Sequence, residues 1–190
     1  MRIGLFFGSF NPIHTGHLII ASHVANNTDI EQVWLIVSPH NPFKKTSSLL
    51  NEYHRFYLAQ IATDGDNQIK VSDVEFKLPK PSFTIDTLQY LEEKYPQHEF
   101  SIIIGSDSFR NIDKWKNHNL LINNHQFIIY QRPGFEINPD QITNNIIILN
   151  APLLDISATT IRKKIKEGHT IRYLVPDSVR EEIERNGYYK

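Results

Sequence analysis

The chain has 190 residues, of which 40% are hydrophobic and 22% are charged, and its formal net charge is -1. This size and composition predict one compact domain, residues 1–190, that can bury a core of its own. A charge so close to zero gives no field that would draw the chain to nucleic acid or to a membrane surface. The absence of cysteine excludes a disulfide framework, a thiol nucleophile and a redox motif.

The N-terminal apolar run is short. It covers only residues 2–7 before Gly8, Asn11 and His14 interrupt it. A secretory segment or a membrane span needs a longer run. We therefore expect a cytoplasmic protein.

Strand-like and helix-like patterns alternate along the chain. The predicted strands lie at residues 2–7, 32–37, 70–76, 100–104, 126–130 and 146–149, and the predicted helices at about 15–27, 51–63, 84–95, 157–167 and 176–186. This alternation predicts an α/β fold, a Rossmann-like, doubly wound and mostly parallel sheet with helices on both faces. In such sheets ligands bind beyond the carboxyl ends of the strands. The least regular stretches, residues 39–50, 77–83 and 107–125, are expected to form the walls of that site.

The turn between the first strand and the first helix carries the strongest chemical signal. Residues 8–17 read Gly-Ser-Phe-Asn-Pro-Ile-His-Thr-Gly-His. Unpaired backbone N–H groups and the helix dipole attract phosphate to such a turn. His14 and His17 lie on one side of the first helical turn, where each imidazole can donate an N–H to one phosphoryl group. The structural alternative is that one histidine caps the helix while the other packs in the core, and a zinc pair would lack a third ligand nearby.

A second helix start, near the end of the chain, is rich in hydroxyl groups. Ser157 can cap this helix, while Thr159 and Thr160 add hydroxyls to its first turn. Arg162 follows one turn later and can bind phosphate bidentately. A capped helix alone would explain Ser157 but not the whole cluster. The Gly-x-Gly-x-x-Gly and Walker-type fingerprints are absent from the sequence, so a nucleotide must be held by other residues.

Three further strands are followed by polar residues. Lys44 and Lys45 follow the second strand, where adjacent lysines are usually solvated. Gly105 and Asp107 follow the fourth, where a glycine lets a ligand approach and a carboxylate can accept bonds from ribose hydroxyls; the alternative is an Asx-turn. Arg132 follows the fifth strand, and its alternative is an ordinary surface arginine.

Two more positions point to a flat, acidic ligand. Ser82 or Thr84 is expected to cap the third helix, whose first N–H groups could also meet a carboxylate. Trp115 stands between charged residues, and an indole at a pocket rim can stack on a heteroaromatic ring. The structural alternative is a tryptophan partly buried beneath its loop.

Residues 8–17 resemble the signature of the nucleotidyltransferases that carry a His-x-Gly-His motif. The fuller form, Gly-x-Phe-Asn-Pro-x-His-x-Gly-His, is most similar to that of bacterial nicotinate-nucleotide adenylyltransferases. Residues 81–88 resemble the Pro-Ser-x-Thr-x-Asp-Thr-Leu segment of that family, and residues 156–162 its Ile-Ser-Ser-Thr-x-Ile-Arg motif, with Ala158 in place of the second serine. The chain departs from the family at Phe43 and Lys44, where Pro and His are usual. The resemblance spans essentially the whole chain in motif order.

This resemblance implies adenylyl transfer from ATP to nicotinate mononucleotide, with Mg²⁺ carried by ATP and no protein metal site. It implies catalytic roles for His14, His17 and Arg162. The residues that it implies for ATP binding are Gly8, Ser9, Phe10, His14, His17, Gly105, Asp107, Ser157, Thr159 and Arg162. Those that it implies for nicotinate-nucleotide binding are Asn11, Lys45, Thr84, Ile85, Trp115 and Arg132.

Three alternatives stay open at this stage. Phosphopantetheine adenylyltransferases share both histidines and a Ser-Thr-Arg helix, but they lack the Pro-Ser-x-Thr and tryptophan features. A nicotinamide-preferring relative and a nucleotide-binding module without turnover are the others. The expected partners are the two small substrates, without nucleic acid or a membrane, and the sequence also allows a homo-oligomer.

Overall fold

The computed structural model describes residues 1–40, 49–132, 134–137, 144–150, 152 and 155–190. Within these residues six strands form one sheet. They are β1 (Arg2–Gly8), β2 (Gln32–Val37), β3 (Ile69–Ser72), β4 (Glu99–Gly105), β5 (Gln126–Tyr130) and β6 (Ile146–Leu149). Their spatial order is β3-β2-β1-β4-β5-β6, and every neighbouring pair is parallel. The predicted doubly wound parallel sheet is therefore confirmed.

The central strand β1 pairs with β2 on one side and with β4 on the other. Leu5 lies opposite Trp34 of β2 and Ile102 of β4. The chain moves outward from β1 through β2 to β3 and then returns to start the other half of the sheet at β4, so the strand order reverses between β1 and β4. Ligands of doubly wound sheets bind at such a reversal, beyond the carboxyl ends of the strands. Gly8 and Gly105 are the last residues of these two strands.

Helices cover both faces of the sheet. They are α1 (Thr15–Asn27), α2 (Glu52–Ala62), α3 (Thr84–Lys94), α4 (Ser106–Phe109), α5 (His118–Asn124), α6 (Ala158–Lys166) and α7 (Asp177–Asn186), with short 3-10 helices at Val74–Lys77 and Ile112–Lys114. Residues of α1, α2, α6 and α7 pack in the core on one face, and residues of α3, α4 and α5 in the core on the other. None of the described helices combines the length and the apolar run that a bilayer crossing needs.

The apolar runs of the strands are explained by the helices that pack on both faces of the sheet. Ile103 of β4 packs against the first core, whereas its neighbours Ile102 and Ile104 pack against the second. Successive side chains of a strand point to opposite faces, so a strand covered on both faces has no polar face to present. This is why residues 102–104 of β4 are all isoleucine.

Two predicted segments differ from the structure. The strand predicted at residues 70–76 ends at Ser72, and a 3-10 helix, Val74–Lys77, follows it. Val74 and Glu75 are buried in that helix, so the alternating pattern reflects burial in a turn of helix rather than a longer strand. The stretch 107–125, predicted to be irregular, contains most of α4, a 3-10 helix and α5.

The predicted helix caps have mixed outcomes. The Ser157 hydroxyl accepts the Thr160 backbone N–H at 3.1 Å, which confirms the cap of α6. The expectation that Ser82 or Thr84 caps α3 is wrong, because Phe83 holds the N-cap position. Thr84 is instead the first residue of the helix, and the Ser82 hydroxyl is bonded elsewhere.

Candidate active site

Two adjoining cavities lie beyond the carboxyl ends of β1 and β4. The larger, of about 330 Å³, is lined by His14, His17 and Arg162 among others. The smaller, of about 170 Å³, is lined by Thr84 and Trp115 among others. The residues common to both are Phe6, Phe7, Gly8, Ser9, His40, Ser108 and Tyr130. A molecule in one cavity can therefore meet a molecule in the other at the end of β1.

The two histidines of the signature turn face each other as a stacked pair. Their ring centroids are 3.6 Å apart, and their planes are inclined by 23°. His14 occupies the N-cap position of α1, and its backbone N–H donates to Nδ1 of His17 at 3.3 Å. Because Nδ1 of His17 accepts this bond, the proton of the neutral ring lies on Nε2, which makes Nε2 a donor. The sequence prediction that both rings line one anion site is consistent with this placement.

Burial determines the electrostatics of His14. Only 5% of the residue is exposed, and its Nδ1 has no hydrogen-bond partner among the residues that the structure describes. Burial, and secondarily the charge of Arg132, lowers the pKa of His14 from 6.5 to about 4. The ring is therefore neutral near neutral pH, and it supplies one N–H donor rather than a positive charge.

Glycine and phenylalanine residues of the turn allow this close packing. A Cβ on Gly8 would come within 2.8 Å of the Phe10 ring, and a Cβ on Gly16 would come within 3.1 Å of Nδ1 of His14. Phe10 adopts a φ of 44°, and its buried ring meets the His17 ring edge to face at 5.0 Å between centroids. Phe10 thus lines the larger cavity and packs against the His17 ring.

The start of α1 offers fewer free backbone donors than its sequence suggests. The Thr15 N–H donates to the Leu174 carbonyl at 2.9 Å, and the His17 N–H donates to the His14 carbonyl at 2.9 Å. Two of the first three N–H groups of the helix are thus satisfied within the protein. An anion bound here would therefore meet the imidazoles rather than these two amides.

The start of α6 closes the larger cavity from the opposite side. Ser157, Ala158, Thr159 and Arg162 all line this cavity. The Arg162 guanidinium donates to the Asn11 carbonyl at 2.7 Å and to the Thr159 hydroxyl at 3.3 Å. These bonds join the second motif to the signature turn, although 151 positions separate Arg162 from Asn11. The predicted convergence of the two motifs is therefore what the fold produces.

Beside the larger cavity, the residues that follow β4 and β5 form a small polar network. Nε of Arg132 lies 3.4 Å from a carboxylate oxygen of Asp107, and its Nη2 donates to the Tyr130 hydroxyl at 3.3 Å. Asp107 and Arg132 line the larger cavity and also a wider recess next to it, which includes Ser157. Gly105, predicted with Asp107, lines the smaller cavity, and a Cβ there would collide with Asp107 and lie 3.0 Å from the Tyr130 ring.

The smaller cavity gathers the groups predicted for a flat acidic ring. Trp115 is half-buried: it lines this cavity, and it also packs against the core under α3, α4 and α5. Trp115 is thus both an indole at the edge of a cavity and a partly buried tryptophan, so each of the two sequence interpretations describes part of its surroundings. Thr84 lines the cavity at the N-terminus of α3, whereas the Ile85 side chain packs on the core. Roles for Thr84 and the Ile85 amide stay predictions.

Two predicted nicotinate-nucleotide residues, Asn11 and Arg132, line the larger cavity instead of the smaller one. The Asn11 side chain is engaged in the turn, since its Oδ1 accepts the Leu50 backbone N–H at 3.1 Å. The prediction for Lys45, and the neighbouring Lys44, lies outside the described residues.

Arg55 was not predicted as a site residue, yet it bonds to the loops that line both cavities. This arginine is 0% exposed, and its guanidinium donates to four backbone carbonyls. The acceptors are Ser9 of the signature turn at 2.6 Å, Ser38 at 2.8 Å, Pro39 at 3.0 Å and Leu50 at 2.7 Å. An arginine inside an amphipathic helical pattern gives no sign of these partners, because they lie in three other parts of the chain. His40, Tyr130 and Glu75, which also line the cavities, were missed for the same reason.

A family model described as cytidylyltransferase-like matches residues 5–164. A relative from Flavobacterium johnsoniae is 46% identical over 192 residues, covering 100% of both chains. Another from Cytophaga hutchinsonii is 48% identical over 189 residues, covering 100% of this chain and 98% of its own. Both carry the name "Probable nicotinate-nucleotide adenylyltransferase".

This chain belongs to the cytidylyltransferase-like family, among its nicotinate-nucleotide adenylyltransferases. The family that the motifs resemble is thus confirmed, and the matched region contains both of the motifs that line the larger cavity.

Solved structures of this family share the fold. The Plasmodium falciparum nicotinic acid mononucleotide adenylyltransferase complexed with NaAD is similar with a TM-score of 0.85 at 23% identity, covering 99% of this chain and 97% of that chain. The same enzyme complexed with APC gives a TM-score of 0.82 at 22% identity, covering 99% and 96%. At these identities the likeness concerns the fold, and it supports the Rossmann-like parallel sheet.

Proposed function

We propose that this chain transfers the adenylyl group of ATP to nicotinate mononucleotide, giving deamido-NAD and pyrophosphate in NAD biosynthesis. The observation that carries the proposal is the shared wall at the end of β1. On one side of it lie His14, His17 and Arg162, and on the other side lies Trp115 opposite the start of α3. Family membership supports the same reaction.

The proposed reaction is an in-line displacement. A phosphate oxygen of the mononucleotide attacks the α-phosphorus of ATP, and the bond from that phosphorus to the oxygen bridging to the β-phosphate breaks. Pyrophosphate leaves with that electron pair. Because the second pKa of a phosphate ester is about 6, the attacking group is largely a dianion at neutral pH and needs no general base. The protein has to align two anions and to stabilise the charge that develops.

The larger cavity supplies the groups for this task. In the proposal, His17 donates from Nε2, His14 donates as a neutral ring, and Arg162 provides a permanent positive charge. Ser157 and Thr159 add hydroxyls at the start of α6. Donors that are held in place before the reaction stabilise developing charge at little reorganisation cost.

The substrate in this proposal is the Mg²⁺ complex of ATP. Among the described residues, no group of three or more His, Cys, Asp or Glu side chains is placed to hold a metal ion. Triphosphate oxygens are ligands that Mg²⁺ prefers, and the ion keeps several of its waters when it binds in this way. We therefore assign the Mg²⁺ to the nucleotide, where it would neutralise part of the phosphate charge.

The smaller cavity is the proposed site for the pyridine ring. Trp115 offers an aromatic face, and the first turn of α3 at Thr84 presents backbone N–H groups that suit a carboxylate. A carboxamide would turn its own NH₂ toward one of these donors and leave it unsatisfied. This predicts a preference for nicotinate over nicotinamide mononucleotide.

The proposal also includes two broader statements. Residues 1–190 form one nucleotidyltransferase domain, and the protein acts in the cytoplasm, where both substrates would be available. The C-terminal helices support the first part, because Ile161, Val179 and Ile183 pack into the same core as α1 and α2. A homo-oligomer is compatible with the proposal and is not required by it.

Pyrophosphate release from ATP, measured with each acceptor, tests the function. We expect release with nicotinate mononucleotide, far less with nicotinamide mononucleotide, and none with phosphopantetheine. Release with phosphopantetheine alone, or with no acceptor at all, would overturn the proposal.

The same assay tests the two imidazoles. We expect His14→Ala and His17→Ala to lower turnover by about 10² to 10³, the usual effect of removing one preorganised donor. His169→Ala, at an exposed histidine after α6, is the matched control and should leave turnover unchanged. Turnover near that of the wild type in either site variant would remove the catalytic assignment.

A further inference from the structure

The smaller cavity contains a buried carboxylate that the proposed chemistry does not use. Glu75, in the 3-10 helix Val74–Lys77, lines this cavity although only 2% of the residue is exposed. Its Oε2 accepts from the Ser82 hydroxyl at 2.7 Å, and its Oε1 accepts from the Thr87 hydroxyl at 3.0 Å. The Ser38 side chain lines the same cavity and helps to lower the pKa of this carboxyl, which burial raises.

The two bonded hydroxyls flank the start of α3, since Ser82 precedes this helix and Thr87 lies in its first turn, whereas Glu75 lies in the 3-10 helix after β3. A carboxylate that accepts from both hydroxyls fixes where α3 begins relative to that 3-10 helix. Buried polar groups held in this way specify one geometry, because each group would be left unsatisfied in another.

The position of the start of α3 matters because Thr84 and Trp115 both line the smaller cavity. The hydroxyls of Ser82 and Thr87 are already bonded to Glu75, so they are engaged before any ligand binds. The Asp86 and Thr87 backbone N–H groups donate to the Phe83 carbonyl, so those of Thr84 and Ile85 are the ones that can meet a ligand. Glu75 holds one side of the segment that carries them.

We propose that Glu75 is a positioning residue for the pyridine nucleotide, which holds the start of α3 where it can bind the ring substituent. The inference rests on the proposed function, and it concerns binding of the acceptor rather than the transfer step or ATP. Burial raises the pKa of the Glu75 carboxyl, and the hydroxyl bonds oppose this rise. A buried carboxyl held by these hydroxyl donors is consistent with a positioning role.

The test is the Glu75→Gln variant, which keeps the size of the side chain but replaces one accepting oxygen by an NH₂ group. We expect the KM for nicotinate mononucleotide to rise about tenfold or more, while kcat and the KM for ATP stay within about twofold. Glu93→Gln, on the exposed side of α3 where Glu93 bonds Gln89, is the matched control and should change none of the three.

A binding measurement gives a readout without turnover. The chain has two tryptophans, and Trp34 packs against Tyr95 and Phe100, away from the residues that line the smaller cavity. In a Trp34→Phe background the remaining fluorescence comes from Trp115, and its change on titration with nicotinate mononucleotide reports the Kd. Glu75→Gln should raise this Kd by the same factor as the KM.

Thr87 provides a second pair of variants should Glu75→Gln fold poorly. Thr87→Val removes the hydroxyl at nearly constant volume and should weaken acceptor binding, whereas Thr87→Ser keeps the hydroxyl and should restore it. An unchanged acceptor KM in Glu75→Gln and Thr87→Val, or an equal rise in the KM for ATP, would overturn the positioning role. Failure of the wild type to use nicotinate mononucleotide would instead overturn the proposed function, so the two failures are distinguishable.

Discussion

At the scale of single residues, the two histidines of the signature turn are held in different ways. His17 is oriented by a backbone N–H that reaches its Nδ1, whereas the buried Nδ1 of His14 has no such bond among the described residues. The sequence predicts that the rings share one side of α1, because residues three apart on a helix are neighbours. It does not predict how deeply His14 is buried, or that the charge of Arg132, far along the chain, helps to lower its pKa.

The burial of His14 predicts a pH-dependent stability. Its pKa is about 4 in the folded chain and 6.5 in the unfolded chain, so between these values the unfolded chain binds a proton that the folded chain does not. Stability must therefore fall as the pH falls through this window, and the effect vanishes above pH 6.5, where both states are neutral. Between about pH 7 and about pH 4.5, we expect His14 to lower the free energy of unfolding by about 2 kcal/mol.

Urea unfolding of the wild type and of His14→Gln at the two pH values measures that effect. The remaining histidines and all carboxyl groups are common to both proteins, so the difference between their pH-dependent losses isolates His14. We expect the wild type to lose about 2 kcal/mol more than the variant. Equal losses would show that the folded and unfolded pKa values of His14 coincide.

At the scale of elements, Arg55 of α2 joins three segments around the site. Its four carbonyl acceptors belong to the signature turn, to the end of β2 and to the residue before the α2 cap. Burial lowers the pKa of this guanidinium, and bonds to carbonyl oxygens take the place of water around the charge. The helix is thus anchored by one side chain to the loops that line both cavities.

We expect Arg55→Met to destabilise the chain by about 3 kcal/mol or more, because several buried carbonyls lose their donor together. Arg55→Lys should also destabilise it, since an ammonium group cannot reproduce the planar fork of donors. Arg185→Met, which removes an exposed arginine of α7 paired with Glu182, is the control and should cost about 0.5 kcal/mol or less. Urea unfolding free energies provide the comparison, and a cost for Arg55→Met no larger than that of the control would contradict the anchoring role.

At the scale of the whole molecule, the C-terminal helices complete the core on one face of the sheet. Val179 and Ile183 of α7 are 0% and 2% exposed and pack in the same core as residues of α1, α2 and β1. The Ser178 hydroxyl also donates to the Ile61 carbonyl, at the end of α2, at 3.1 Å. We propose on this basis that the C-terminal helices unfold together with the sheet.

Ile183→Ala tests this cooperativity. Removing a buried isoleucine side chain typically costs about 2 to 5 kcal/mol, and in one cooperative unit that cost lowers the stability of the whole chain. Tryptophan fluorescence, which reports on β2 and the smaller cavity, and circular dichroism should show one shared transition at a lower urea concentration. A separate early transition seen only by circular dichroism would contradict the single domain.

Sequence by itself determined those features that depend on residues close together in the chain. The parallel sheet follows from apolar runs that must be covered on both faces, and the histidine pair and the Ser157 cap follow from helical spacing within one turn. The signature motifs also determine the family. Each of these features can be recognised from a local pattern, although the sheet itself is formed by contacts between strands that are distant in the chain.

Only the tertiary structure decided which side chains form hydrogen bonds between different segments of the chain. The bonds from Arg162 to the Asn11 carbonyl and from Arg55 to the Ser9, Ser38 and Pro39 carbonyls join segments that are distant in the chain. The Ser82 and Thr87 hydroxyls reach Glu75 across the loop that precedes α3. Two further differences from the prediction have a tertiary cause. Strand β3 ends at Ser72, just before the segment in which Glu75 is buried. The start of α3 has no side-chain cap, and the nearby Ser82 hydroxyl bonds to Glu75 instead. Burial and partner choice are properties of the folded chain as a whole, whereas spacing is a property of the local sequence.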